Sequence, residues 1–357
     1  MTDLKPALIL AQGFLDKPNG KTTHGLIRGS EKFGIVGVID SNFAGCDAGE
    51  VLDGKNRKIP VFDSLTSAFA QLETPPQYFI VGVAVAGGKL PPEMHAILLE
   101  GIEKGMHIIN GLHEFLSEKQ VFAELALNKG VTITDVRRPK KAGEMTYWSG
   151  RIGEVTTPRI AVLGMDCAVG KRTTARMILE SLRAKDVKSE MISTGQTGWM
   201  QDGKYAFILD ATLNDFVSGE LETQIVRCFE ESKPDVMILN GQSALRNPIG
   251  PCGAELLVSG QAKYVVLQAM PARRFYEGTE AMPVEIPSIE SEIELIKMYG
   301  AEVIAVALNT SGLTLEDARE TQKILRGSLG LPIVLPLEDG VAEIVNVIIN
   351  RTISITK

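Results

Sequence analysis

The sequence has little of what several protein classes need. Its 4 cysteines, Cys46, Cys167, Cys228 and Cys252, form no C-x-x-C pair, so neither a structural zinc site nor a disulfide framework is indicated and reduced thiols are expected. Its 4 histidines show no paired metal-ligand spacing, and no metal is expected. No apolar run approaches the roughly 18 residues of a membrane span, and Ala7 to Ala11 is too short for a signal-peptide core. A cytoplasmic protein with no membrane partner is the expectation. Basic residues do not prevail either: 37 Lys and Arg against 44 Asp and Glu give a net charge of −7, with no block of five like charges, which argues against a nucleic-acid partner.

What is present is 44% hydrophobic residues, 23% charged residues and 35 glycines, the composition of a globular α/β protein. At roughly 100 to 200 residues per domain, 357 residues suggest two. Val- and Ile-rich runs alternate with segments of helical period, the pattern of buried parallel strands in βαβ units, and the pattern is read twice. The first round places strands near Ala7 to Ala11, Gly34 to Asp40, Tyr78 to Val85, Met106 to Asn110 and Val131 to Asp135. The second places them near Ile160 to Leu163, Glu190 to Thr194, Val236 to Asn240, Tyr264 to Ala269, Val303 to Leu308 and Ile333 to Leu335. Helices are expected over Pro91 to Lys104, Lys171 to Ala184, Thr212 to Glu231, Ile289 to Tyr299 and Leu315 to Leu329. Arg137 to Pro158 has no apolar period and reads as a linker, so the domains are set at 1–148 and 149–357. The fold class is α/β, with two doubly wound parallel-sheet domains.

The chemistry concentrates in Gly164-Met165-Asp166-Cys167-Ala168-Val169-Gly170-Lys171-Arg172-Thr173-Thr174, read as a loop of the G-x-x-x-x-G-K kind between a strand and a helix. Glycines let N–H groups turn around an anion, the helix N-terminus adds partial positive charge, and Lys171 reaches terminal phosphate oxygens. Arg172 stands where an NTPase places the Mg²⁺-binding hydroxyl, and the strand Val236 to Asn240 ends in a neutral amide rather than a metal-holding carboxylate. Thr173 and Asp166 can substitute, but the loop suits a pyrophosphate that needs no metal-assisted cleavage, such as that of coenzyme A.

These residues, with Gly195-Gln196-Thr197-Gly198, Asp210, Asp215-Phe216, Gly241-Gln242-Ser243 and Ala307-Leu308-Asn309-Thr310, resemble the D-glutamate N-acetyltransferase family, long a family of unknown function. The resemblance extends to Lys21-Thr22-Thr23-His24-Gly25-Leu26 and to Ile109-Asn110-Gly111-Leu112-His113-Glu114-Phe115, and so covers the whole chain. It implies a Rossmann-like N-terminal domain, a P-loop-like C-terminal domain, and acetyl transfer from acetyl-CoA to the amine of D-glutamate or a related D-amino acid. The P-loop half is also similar to dethiobiotin synthetase, which leaves a Mg-ATP-dependent ligase or carboxylase as the alternative; a non-catalytic nucleotide sensor is a third.

Amine acetylation needs an unprotonated amine, a held thioester carbonyl and a donor for the developing oxyanion. Asp210 or Asp215 can orient the ammonium and take its proton; Asp210 fits a helix cap and Asp215 a solvated position equally well. Gln242 and Ser243 follow a central strand, where open sheets place ligands, and join the two aspartates in the catalytic set as polar positioners. Gln196 and Thr197 are assigned to substrate, and Arg246, Arg273 and Arg274 are candidates for substrate carboxylates. Gly164, Asp166, Val169, Gly170 to Thr174, Asn309 and Thr310 are assigned to the cofactor; Asn309 and Thr310 resemble the adenine-reading position of dethiobiotin synthetase, and adenine occurs in both ATP and CoA. Gly13 to Lys21 imitates a P-loop but holds six residues between its glycines. Asp40 reads as a plain strand-end residue, and His24, His107 and His113 as structural. A homo-oligomer is expected because closed symmetric assemblies are common.

Overall fold

The computed structural model describes residues 4–201 and 203–353. The chain divides into two compact units. The first comprises the chain through Lys140 together with Gly195–Lys204 and Ile208–Thr212; the second comprises Lys141–Thr194, Tyr205–Phe207 and the chain from Leu213 onward. The units thus part eight residues before the 148/149 boundary, and two short stretches from the second half of the sequence complete the first unit.

The first unit is built on six strands, β1 (Lys5–Leu10), β2 (Phe33–Ile39), β3 (Val61–Phe62), β4 (Tyr78–Val81), β5 (His107–Asn110) and β6 (Ile133–Asp135). All pair in parallel in the order β3-β2-β1-β4-β5-β6, the Rossmann arrangement that reverses beside β1. Strand alternation sends Ala7, Ile9 and Ala11 to one apolar cluster and Leu8 and Leu10 to another. Both faces are covered, which is why β1 reads as a continuous apolar run. The helix Pro92–Glu103 buries Met94, Leu98 and Ile102 against the second cluster, as its spacing requires.

The second unit carries β7 (Arg159–Gly164), β8 (Ser189–Ser193), β9 (Val236–Asn240), β10 (Tyr264–Ala269), β11 (Glu302–Leu308) and β12 (Ile333–Val334), again all parallel, in the order β12-β11-β10-β7-β9-β8. The helix Lys171–Arg183 lays Ala175, Ile178, Leu179 and Leu182 on Ile160 and Val162, beside Ile344, Val345 and Ile348 of the helix Ala342–Thr352. The stretch expected to be a free linker is held down. Glu220 accepts from Thr146 N at 2.9 Å, and Glu222 accepts from Ser149 N at 2.6 Å and Ile152 N at 2.9 Å, so two carboxylates of the helix Asn214–Ser232 strap the segment to the unit. Among the described residues no helix is long and apolar enough to cross a membrane.

Candidate functional site

The glycine-rich loop joins β7 to the helix Lys171–Arg183 in the middle of the second sheet. Five residues separate Gly164 from Gly170, one more than the G-x-x-x-x-G-K form by which the sequence matched it. Ala168 in the left-handed region, at φ 52°, turns the longer loop, and Gly170 at φ 108° opens the helix. Lys171 folds back over the strand end, and its Nζ donates to the carbonyls of Asp166 at 2.6 Å and Ser243 at 2.7 Å. A Cβ on Gly164 would lie 2.7 Å from Lys171 Cδ, so the glycine is what leaves room for the lysine. Ser243 itself sits at φ 43°. Two non-glycine residues held in this region beside one lysine form a strained constellation, at about 1–3 kcal/mol each, of the kind that collects at ligand sites.

The loop is braced from every side by the residues assigned to bind ligand. Asp166 is fully buried and accepts from Cys167 N at 2.7 Å and from Asn247 Nδ2, Arg273 Nη1 and Glu277 N at 2.9 Å each. Both oxygens are therefore engaged inside the chain, and Asp166 anchors the loop. Thr174 Oγ1 donates to buried Gln268 at 2.6 Å, and Asn309 Nδ2 donates to Val169 O at 3.0 Å. Thr310 donates to Glu338 at 2.6 Å, Thr173 is half-buried, and Gln242 donates its amide to Thr194 O. A cleft of about 200 Å³ opens beside the loop between Met165, Val169, Met270, Ile286 and Ile289.

The three arginines proposed for substrate carboxylates each meet a carboxylate of this chain. Arg246 pairs with buried Glu292, 2.7 Å from Nε; Arg273 pairs with Asp166; exposed Arg274 pairs with Glu285 at 2.6 Å. Burial pushes the Glu292 carboxyl up, against the pull of Arg246. Nearby, Cys252 donates to Glu255 at 2.9 Å, and burial and then that carboxylate push its thiol far up, so it rests protonated. Asp215 lies exposed in the first turn of the helix Asn214–Ser232.

Gln196, Thr197 and Asp210 belong to the first unit. There, β5 ends at Asn110, whose amide bonds Glu114 O and Asp135 at 2.7 Å each, while Asp135 collects Leu116 N and Ser117 N. This winds residues 110–117 into a fixed loop at the carboxyl edge of the sheet. Arg137, just past β6, donates from Nε and Nη2 to Asp210 Oδ2 at 3.0 and 2.9 Å, and from Nη1 to Gly111 O. His113 Nε2 stands 4.0 Å from the same Asp210 oxygen. Burial and then Arg137 hold the imidazole below its ordinary pKa of 6.5, against Asp210, so it is neutral at pH 7. Thr197 Oγ1 lies 3.0 Å from Thr22 Oγ1. At the other end of this sheet edge the chain satisfies itself: buried Asp40 accepts from Leu15 N and Asn42 N at 3.1 Å, and Thr23 N and Oγ1 both donate to Gly82 O.

A family model described as a domain of unknown function, DUF1611_C, P-loop domain, matches residues 146–345, and a second, DUF1611_N, Rossmann-like domain, matches residues 41–139. The chain belongs to the DUF1611 family. Two relatives named D-glutamate N-acetyltransferase, from Pseudoalteromonas sp and Tritonibacter scottomollicae, are each 29% identical over 274 and 276 residues, 75% of this chain and 80% and 79% of theirs. A crystal structure of a DUF1611 family protein from Anabaena variabilis superposes with a TM-score of 0.86 at 27% identity, covering 97% of this chain and 99% of that one. The Rossmann-like and P-loop readings of the two halves both hold for this DUF1611 chain. Sequence reasoning passed over Arg137 and set His113 aside as structural. The one signal for His113 was the segment Ile109 to Phe115, quoted for its resemblance without a role; Arg137 entered only as the start of the stretch read as a linker.

Proposed function

We propose that this DUF1611 protein moves an acetyl group from acetyl-CoA to the amine of D-glutamate or a related D-amino acid. The observation that carries the reading is the loop itself: a lysine parked on two backbone carbonyls at a helix N-terminus, with Arg172 following it and Asn240 ending the neighbouring strand. An arriving pyrophosphate replaces those carbonyls as the partner of Lys171 and meets the first-turn N–H groups of the helix. With Asp166 committed to Arg273 and Asn247, the residues offered as Mg²⁺ ligands reduce to Thr173, which suits binding of a diphosphate better than its hydrolysis. The apolar cleft beside Met165 and Val169 gives the thioester arm a dry wall. The names of the two curated relatives support the same chemistry.

The test is thiol release from acetyl-CoA with D- and L-glutamate, in chelator and then in Mg²⁺. Release with D-glutamate, indifferent to the metal, is the expected result. Phosphate production from ATP that depends on Mg²⁺, with no thiol release, would replace this reading by the ligase one.

A further inference from the structure

The edge of the first sheet holds a group of side chains whose hydrogen-bonding capacity is only partly spent. Arg137 has five N–H groups, and three are directed at Asp210 Oδ2 and Gly111 O. Its side chain is 11% exposed, too buried for a solvated surface arginine and open enough for a small ligand. Among the described residues, Asp210 Oδ1 and both ring nitrogens of His113 have no hydrogen-bond partner, and the two side chains are 31% and 54% exposed. Gln196 is 8% exposed, yet its amide has no partner among the described residues either. It is placed against Gly111, where a Cβ would stand 3.1 Å from Gln196 Cγ, and Gly111 O is the carbonyl that Arg137 holds. The histidine ring is seated deliberately. Gly88, at φ 62°, lies beneath it, and a Cβ there would come within 2.5 Å of the ring.

The Gln196 amide is not among the fully buried side-chain groups without a partner, so it reaches solvent and stays open to a ligand, and the group is incomplete as it stands. What it lacks is specific. The open acceptors are a carboxylate oxygen and a neutral imidazole, which suit an ammonium; the open donors are guanidinium and amide N–H groups, which suit a carboxylate. One small molecule carries both.

We propose that His113, Arg137, Asp210 and Gln196 form a binding site for the zwitterion of an α-amino acid, its ammonium on Asp210 and His113 and its carboxylate on Arg137 and Gln196. The site lies wholly in the first unit and takes the acceptor amino acid, a step that rests on the acetyl-transfer reading. It also explains why an aspartate here is paired with arginine through one oxygen only: the second is kept for the ligand.

The test uses the full chain and proton NMR of the histidine Hε1 signals, with His113→Gln assigning the one of interest. D-Glutamate should shift the His113 signal saturably, while glutarate, which has the carboxylates and no amine, should need at least tenfold more. Asp210→Asn and Arg137→Lys should each raise the KM for D-glutamate tenfold or more and leave the KM for acetyl-CoA within twofold. An unmoved His113 signal, or glutarate matching D-glutamate, would overturn the site even in a chain that acetylates D-glutamate. A wild-type chain that releases no thiol with any amino acid would instead overturn the acetyl-transfer reading, and a saturable His113 shift in that same chain would still support the site.

Discussion

Replacing Asp166 by asparagine keeps the shape of the side chain and takes away its charge. The wild-type carboxylate receives two donors on Oδ1, from Cys167 N and Asn247, and two on Oδ2, from Arg273 and Glu277 N. An amide has one oxygen, so whichever way it turns its NH₂ faces two donors. Two hydrogen bonds are lost, and a guanidinium only 21% exposed loses its counter-charge. Breaking one side of a buried ion pair costs about 3–5 kcal/mol, which sets the expected loss. The two tryptophans make it measurable unit by unit, since Trp148 belongs to the second unit and Trp199 to the first. In a Trp199→Phe background, urea unfolding followed by Trp148 fluorescence should show the midpoint falling by about 1.5–2.5 M at a slope of about 2 kcal/mol/M. In a double-mutant cycle Asp166→Asn and Arg273→Met should couple by more than about 1 kcal/mol. A midpoint shift under about 0.5 M, or simple additivity, would refute the claim that this pair holds the loop.

Three further outcomes are expected. Lys171→Ala should raise the KM for acetyl-CoA at least tenfold in the thiol-release assay, and an unchanged value would remove the lysine from the site. For Glu222, burial pushes the carboxyl up, but the N–H groups of Ser149, Ile152 and Gly150 and the Ser149 hydroxyl outweigh it and hold it below the ordinary 4.5. Its stabilisation is therefore present above 4.5 and lost as pH falls through its own lower value, and Trp148, which rides on the strapped segment, should report the release; Glu222→Gln should abolish that acid transition. Lys32, whose Nζ stands 3.1 Å from the Trp199 ring centroid, is pushed down to about 8 by burial and then by Lys5. Trp199 fluorescence should step near pH 8, Lys32→Met should remove the step, and because the unfolded chain binds the extra proton between about 8 and 10.5, stability of the first unit should rise with pH across that interval.

The strands were legible because parallel strands covered on both faces leave uninterrupted apolar runs: β9 and β10 fall at the residues expected, and β7 and β11 within one or two. The strand β3 was not, since Val61–Phe62 is two residues long and carries no period. The helix Ala342–Thr352 was missed although Ile344, Val345 and Ile348 are spaced for it. The P-loop was visible through strand, glycines, lysine and helix together, but its extra residue was not weighed. Charge pairing was the least legible layer. Nothing local to Arg246, Arg273 or Arg274 foretells that Glu292, Asp166 and Glu285 await them, because each partner lies 11 to 107 residues away. The same holds for Arg137 and Asp210, which are 73 residues apart.

The first unit borrows residues that come late in the chain. Fully buried Met200 joins the apolar cluster of Ile9, Leu26 and Ile109, Ile208 packs beside it, and Gln201 donates to Gly25 O and Gly29 O at 2.7 and 2.9 Å. A ribosome that has finished Lys140 has made every strand of the first sheet but not this cover. At about 5–20 residues per second, the roughly 70 residues still needed take about 4–14 s to appear. For that interval the nascent Rossmann unit carries an open apolar face, a target for a chaperone and a hazard on a crowded polysome. The same dependence means that a gene for this chain cut at the linker should yield an incomplete first half, its sheet made but its cover left on the other fragment.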